Sequence, residues 1–298
     1  MFGYSSEQYA SAVSDGGTVT HLANCGGYIL TRQINDSELS DAAGPYPLFC
    51  CENWERLRQD IDQLSSVVSL GLVTDPFGQF DAEVLKDCFP DIMKQFKLHY
   101  VVELNDDLTK TVSRHHQRNA RKSLRSVKVR EVLRPHELIN DWVSWYEQLT
   151  RRHGIAGVSA FSKKSFEQQL AVPGIRVFEA MHGPDRVGAV IWYLSGSHAY
   201  YHLGAWNEIG YQQKASFAAF WTSLTTFREE GVQLVGLGAG SGLTVRSDGL
   251  TRFKAGWSNR QSPVYFCGRV IDRDSYDQLT AATLDVSTES LFPAYRRD

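Results

Sequence analysis

Between residues 175 and 203 three β-rich runs follow one another with almost nothing between them. IRVFEAM (175–181), VGAVIWY (187–193) and HAYYHL (198–203) are separated by short segments containing GPD and SGS, which is the chemistry of hairpin turns. Strands joined so closely have to pair antiparallel. A helix is predicted next over 213–230, then a strand over 233–237, a glycine-rich loop, and a last strand over 264–270. Three antiparallel strands, a helix and a further strand make an α/β fold, an α+β sandwich whose mixed, mainly antiparallel sheets are flanked by helices.

The residues before this block alternate helix and strand. Trp54, Leu57, Ile61 and Leu64 recur at spacings of three and four and predict a helix over 53–65. The apolar run VVSLGLV (67–73) reads as a buried strand closed by the turn TDPFG, in which Asp75 is either a turn former or a candidate general base. A helix over 81–96 and a strand over 99–104 are predicted to follow. Helix formers then span 108–126 and lead into a strand over 128–133. Pro135 introduces an amphipathic helix to about residue 153, with Leu138, Trp142, Trp145, Tyr146 and Leu149 on its apolar face, and a shorter helix is expected around 165–170.

Charge is unevenly placed. The whole chain carries only −3, from 31 basic and 34 acidic residues, so any anionic partner must be met by a local patch. One exists between Asp107 and Glu131, where eight cations and no acid occur. On a helix, Arg114, Arg118, Arg121, Lys122 and Arg125 fall within one wide face, which could hold the phosphates of RNA or of a nucleotide-linked substrate; a merely solvated face is the alternative.

Other signals exclude more than they suggest. The five cysteines are scattered, without a CxxC pair or a histidine at ligand spacing, which implies a reduced, cytoplasmic protein with no structural metal. Residues 1–17 lack the basic and apolar regions of an export signal, and no run of 18 apolar residues occurs, so no membrane span is expected. The loop LGAGSG (237–242) follows a strand but lacks the Lys-Ser/Thr of a phosphate-binding loop. Gly238, Gly240 and Gly242 are better read as allowing a tight turn beside an acceptor cleft, or as a plain flexible loop.

Several stretches, taken in order, resemble the FemABX-type aminoacyltransferases and the related FemAB-like acyltransferases of the GNAT superfamily. They are SLGLVTDPFG (69–78), SRHHQRNARKSLR (113–125), YYHLGAWNEIGYQQKASFAAFWTSL (200–224), the glycine-rich loop, and GLTRFKAGWS (249–258). The resemblance covers roughly residues 45 to 295 and implies tandem GNAT-like halves, an N-terminal one over 1–133 and a C-terminal one over 134–298 that carries the transfer site. It also implies an amide-forming transferase that moves an aminoacyl or acyl group onto a small-molecule amine, in natural-product or cell-envelope biosynthesis.

The donor is the open point. Fem-type enzymes use aminoacyl-tRNA, whereas ordinary GNAT enzymes hold the pyrophosphate of acyl-CoA on a loop of the form Q/R-x-x-G-x-G/A at a helix N-terminus. In GYQQKASF (210–217), Ala215 stands where the first loop glycine would align with Gln212, and bulky Phe217 stands at a small-residue position. The reading therefore leans to aminoacyl-tRNA, with no other cofactor and no metal. An acyl-CoA-dependent transferase of an amino sugar or polysaccharide precursor, and a non-catalytic RNA-binding protein of this fold, remain the alternatives. Oligomeric state is not legible.

In the Fem-type motif the lysine supports charge developing on the reacting carbonyl, and the resemblance gives that role to Lys254, with Arg252 and Phe253 beside it as substrate contacts. A fixed cation at a forming oxyanion stabilises the transition state more than the ground state. His202, on the strand entering the following helix, and Asp248 are the candidate general bases for the acceptor amine; loss of the proton to water is a third route. Tyr201, Trp206 and Tyr211 are further candidate substrate contacts, with packing the alternative for each aromatic.

Overall fold

A computed structural model describes residues 1–34, 37–105, 107–157, 160–240, 249–282 and 292–296. In chain order the described elements are α1 (Glu7–Ala12), β1 (Thr18–Leu22), β2 (Gly27–Gln33), β3 (Ser40–Ala43), α2 (Leu57–Ile61), β4 (Ser69–Val73), α3 (Ala82–Cys88) and β5 (Ile92–Glu103). Then come α4 (Leu108–Thr111), α5 (Arg114–Ser123), β6 (Val127–Glu131), α6 (Ile139–His153), α7 (Lys163–Gln169), β7 (Ile175–His182), β8 (Asp185–Ser195) and β9 (His198–Trp206). The chain continues through α8 (Glu208–Gln212), α9 (Ala215–Glu229), β10 (Leu234–Gly238), α10 (Gly249–Trp257), β11 (Arg260–Val270) and α11 (Arg273–Ala282). None of the described helices is long and apolar enough to cross a membrane.

Contacts divide the chain into two compact units, one of residues 1–3 and 98–262 and a split one of residues 4–97 and 263–298. This is a division by compactness. The boundary between two related halves at 133/134 concerns ancestry and stands as a proposal.

In the 98–262 unit the strand order is β5-β10-β9-β8-β7-β6. Every neighbouring pair is antiparallel except β9 and β10, which run parallel because α9 supplies the crossover between them. Successive side chains of a strand point to opposite faces, and the sequence uses both. Phe178, Val190 and Trp192 join Phe220 and Phe227 of α9 on one face, while Val177, Ala189 and Ile191 join Trp142, Trp145, Tyr146 and Phe166 of α6 and α7 on the other. Burial on both faces explains why β7 to β9 read as nearly continuous apolar runs.

The split unit has the order β1-β2-β3-β4-β11, antiparallel except for the parallel pair β3 and β4. Its core gathers Ile29, Phe49, Trp54, Leu57, Leu70, Leu72, Phe89 and Cys267, all at most 4% exposed.

Two predicted helices need correction. The helix expected over 81–96 stops at Cys88, and residues 92–96 begin β5. Pro90 disfavours helical backbone at Phe89, and β10 then fixes the later part of the strand, with Tyr100 to Glu103 opposite Gly238 to Leu234. The helix expected over 108–126 is two helices, because Ser113 is extended and its hydroxyl accepts the His116 N–H, which starts α5 afresh.

Candidate functional site

Pairing between β9 and β10 is confined to residues 198–200 against 234–236, although β9 runs on to Trp206. Tyr201 is the first β9 residue beyond that pairing. Parallel strands that part in this way open a crevice at their ends, the position where open α/β sheets receive ligands. β10 contributes to the opening through a bulge between Gly236 and Gly238. Gly238 has φ +73°, a left-handed backbone suited to glycine, and a Cβ there would lie 3.1 Å from the Lys254 Nζ.

Lys254 reaches this point from α10. Its side chain is buried, and Nζ donates to the Ala239 carbonyl at 2.6 Å and lies 5.5 Å from the centroid of the Tyr201 ring. A charge-assisted hydrogen bond and a cation–π contact thus both engage the buried ammonium. The Tyr201 ring packs edge-on against Trp192, and burial pushes its hydroxyl above the ordinary tyrosine range, so it stays a neutral donor. A buried cation and a neutral phenol at the parting of two strands can together stabilise an oxygen that gains negative charge.

α5 holds α10 in place. The Ser113 N–H donates to the Gly256 carbonyl at 2.9 Å, and the His116 Nε2 lies 2.9 Å from the Phe253 carbonyl. The His116 ring occupies the space beside Gly256, where a Cβ would come within 2.0 Å of its Cε1. Phe217, Phe253 and Trp257 surround the same ring at centroid distances of 5.0, 5.7 and 5.1 Å. Sequence reasoning named Phe253 but missed His116. The available signal was the pair of Ser113 and His116 at capping spacing, opposite a motif containing a glycine.

The start of α9 is tied to α5 as well. Lys214 adopts a left-handed backbone, φ +55°, which a glycine usually supplies, and its Nζ donates to the Asn119 Oδ1 at 2.9 Å. Buried Asn119 in turn contacts the His115 Nε2 at 2.8 Å. The Phe217 ring turns into the aromatic cluster around His116 and Trp257. Arg114, Arg118, Arg121 and Lys122 are exposed on α5, and Arg125, expected on the same helix face, is exposed just beyond the helix end at Ser123. Among the described residues none of these five forms an ion pair with a carboxylate, whereas Arg130, just beyond, is paired with Glu179.

The other sequence candidates are dispersed. His202 follows Tyr201 on β9 and therefore points to the opposite face, where its Nε2 lies 2.8 Å from the Gln169 Oε1 between the rings of Tyr193 and Phe161. Burial lowers its pKa to about 3. The structure does not bring it to Lys254. Trp206 is buried in the core on the α9 side. Tyr211 lies under the Arg152 guanidinium, 4.1 Å away, and lines a cavity of about 210 Å³ with Gln148, Arg151 and Glu208. Arg252 is exposed on α10, Gly240 is half-buried two residues after Gly238, and Asp248 and Gly242 lie outside the described residues.

Residues 111–254 match the family described as acetyltransferase (GNAT) domain. No curated protein matches the chain in sequence. Among solved structures the chain is similar to FemX, with a TM-score of 0.68 at 11% identity over 91% of this chain and 93% of that one. It is also similar to the C-terminal domain of a putative lysylphosphatidylglycerol synthetase from Agrobacterium fabrum (TM-score 0.61, 12% identity, 92% of this chain and 89% of that one). L-PGS from Bacillus licheniformis follows (TM-score 0.57, 11% identity, 90% and 93%). At these identities the likeness is one of fold, and the domain match adds the reaction class. The chain therefore has the fold that FemX has, and its residues 111–254 match a GNAT acetyltransferase domain, which makes it an acyltransferase.

Proposed function

We propose that this acyltransferase joins an aminoacyl group from aminoacyl-tRNA to a small-molecule amine, with Lys254 as the cation that meets the developing oxyanion. The observation that carries the reading is the buried Lys254 ammonium, held between the Ala239 carbonyl and the Tyr201 ring where β9 and β10 part. As the amine attacks the ester carbonyl, charge gathers on the carbonyl oxygen, and a cation fixed beforehand stabilises that state without reorganising. The tetrahedral intermediate then expels the tRNA ribose oxygen, which takes up a proton as the amide forms. Phe253 and Tyr201 line the approach, and Gly238 and Gly240 keep the loop close. His202 is not given the base role; the amine proton leaves to water. The exposed face of Arg114, Arg118, Arg121, Lys122 and Arg125 supports an RNA donor, since cations without carboxylate partners are available to phosphates.

The test is transfer to a panel of amines from a charged tRNA pool, with and without RNase. Activity that survives RNase would exclude the tRNA donor. Lys254→Met, which keeps the length of the side chain, is expected to lower turnover roughly 100-fold or more, the usual cost of losing one oxyanion-stabilising group. Undiminished turnover in that variant would remove Lys254 from the chemistry.

The match to an acetyltransferase domain favours one second reading, an acyl-CoA donor bound at the start of α9. A titration with acetyl-CoA decides it, because a ligand that binds the folded state must raise the melting temperature. No shift at millimolar acetyl-CoA would set this reading aside.

A further inference from the structure

α10 has nine residues, too few to be stable as an isolated helix, so its orientation depends on what grips it. Trp257, fully buried, anchors its end. Lys254, however, lies one residue from Phe253, and both main-chain tethers from α5 bracket it: the Phe253 carbonyl before and the Gly256 carbonyl after.

The hydrogen-bond chemistry of His116 has one consistent solution for a neutral ring. A carbonyl can only accept, so Nε2 carries the proton and donates to Phe253. Nδ1 is then the acceptor and takes the Ser113 hydroxyl proton at 2.9 Å, while the Ser113 Oγ accepts the His116 N–H at 3.3 Å. Burial lowers the pKa of His116, which keeps this neutral tautomer in place near pH 7. The ring is therefore a rigid strut, fixed at one nitrogen by the cap of α5 and at the other by the backbone of α10. Gly256 is what lets it approach so closely.

We infer that His116 is the positioning residue of the transfer site: its Nε2–H···O=C bond to Phe253 fixes the rotation of α10 and thereby holds the Lys254 ammonium against the Ala239 carbonyl. The inference rests on the proposed role of Lys254 for its functional meaning, but the position of Lys254 can be read without any substrate. Misplacement of a catalytic group by about 1 Å can cost on the order of 100-fold in rate, so such a strut matters even though it touches no reactant.

The experiment is competitive acetylation of the intact protein with trace N-hydroxysuccinimidyl acetate, followed by peptide mass spectrometry, with the Lys254 rate expressed relative to exposed Lys164. His116→Phe keeps a ring but cannot donate to Phe253. It should speed Lys254 labelling roughly fivefold to tenfold, the equivalent of one lost hydrogen bond. His116→Gln restores a donor near the Nε2 position without the ring and should bring the rate back to within about twofold of wild type, although both variants melt at lower temperature. That rescue is what a residue serving only as core packing would not give. If His116→Phe melts lower yet leaves Lys254 labelling within twofold, or if His116→Gln fails to restore it, the inference is overturned.

Should His116→Phe fail to fold, Ser113→Ala keeps the ring and removes its Nδ1 partner together with the side-chain cap of α5. It should raise Lys254 labelling about twofold to threefold, and no rise would overturn the inference equally. Once a donor is in hand, His116→Phe should lower kcat roughly tenfold with KM within twofold. A Lys254→Met variant with full activity would defeat the functional reading while leaving the labelling result to judge the strut by itself.

Discussion

The two units share a frame and use their polar groups in opposite ways. Each has a mostly antiparallel sheet with one parallel pair, β3 and β4 in the split unit and β9 and β10 in the 98–262 unit. In the split unit the charged groups close on one another. Buried Asp41 accepts from the Arg296 Nη2 at 2.9 Å and lies 3.9 Å from Arg32, and the Tyr295 hydroxyl meets the Ser69 Oγ at 2.7 Å. Asp60 accepts the backbone N–H groups of Asn24 and Cys25, which lowers its pKa against the effect of burial. In the 98–262 unit a buried lysine donates to a carbonyl beside an aromatic ring, and Arg114, Arg118, Arg121 and Lys122 of α5, with Arg125 just after it, are exposed with no carboxylate partner among the described residues. Two units with similar strand pairing can thus use their charges differently, and the contrast marks the 98–262 unit as the one in which to test for a site.

His202 offers the severest challenge to this contrast, because it belongs to the 98–262 unit yet should behave as a scaffold residue. Its folded pKa, about 3, is depressed from 6.5, so the unfolded chain takes up the proton first as pH falls. The stabilisation is complete above about pH 6.5 and is lost progressively down to about pH 3, amounting to roughly 5 kcal/mol across the window. Denaturant melts from pH 7 to 4 should show this slope in the wild type and a flatter one in His202→Asn. Coincident slopes would contradict the assignment. Turnover per folded molecule at pH 7.5 should be little changed in the variant; a loss comparable to that of Lys254→Met would move His202 into the site.

Asp41→Ala probes the scaffold side. It strands Arg296 and Arg32 without a carboxylate and should cost about 3 kcal/mol of stability, read by urea unfolding, with activity per folded molecule retained. If stability holds and activity falls, the split unit is no mere scaffold. The smallest effect is expected on α5. Replacing Arg118 and Arg121 with Gln should weaken RNA binding by about 1 kcal/mol per contact and reduce the slope of log affinity against log salt by about 2, while the melting temperature stays within a degree or so. An unchanged salt slope would reduce that face to a solvated one.

Much of the frame could be read from residues alone. The hairpin runs of β7 to β9 and the Trp142, Trp145 and Tyr146 face of α6 follow local periodicity, and they fold as that periodicity dictates. β5 did not yield to the same reading, because Met93 and Phe96 suit a helix as well as a strand, and the strand partner of its later residues, Tyr100 to Glu103, lies more than 130 residues away. Within the site, the motif around Lys254 was visible, but the two faces of β9 were not separable: both are apolar, so adjacent Tyr201 and His202 looked equivalent until the sheet assigned them to opposite sides. His116 and Phe253 are 137 residues apart, and no local pattern can announce such a contact.

Lys254 and α10 are held through the oxygens of Ala239, Phe253 and Gly256, which are main-chain atoms common to every residue type. A site built on such oxygens leaves little trace in an alignment. Residues 239 and 253 can drift while the grip persists, whereas position 238 favours glycine through its left-handed backbone and position 256 because a Cβ would collide with the His116 ring. Relatives that have lost almost all sequence likeness can therefore keep the same chemistry, and a search for them does better to look for two glycines and a lysine at fixed places in the fold than for a conserved string of letters.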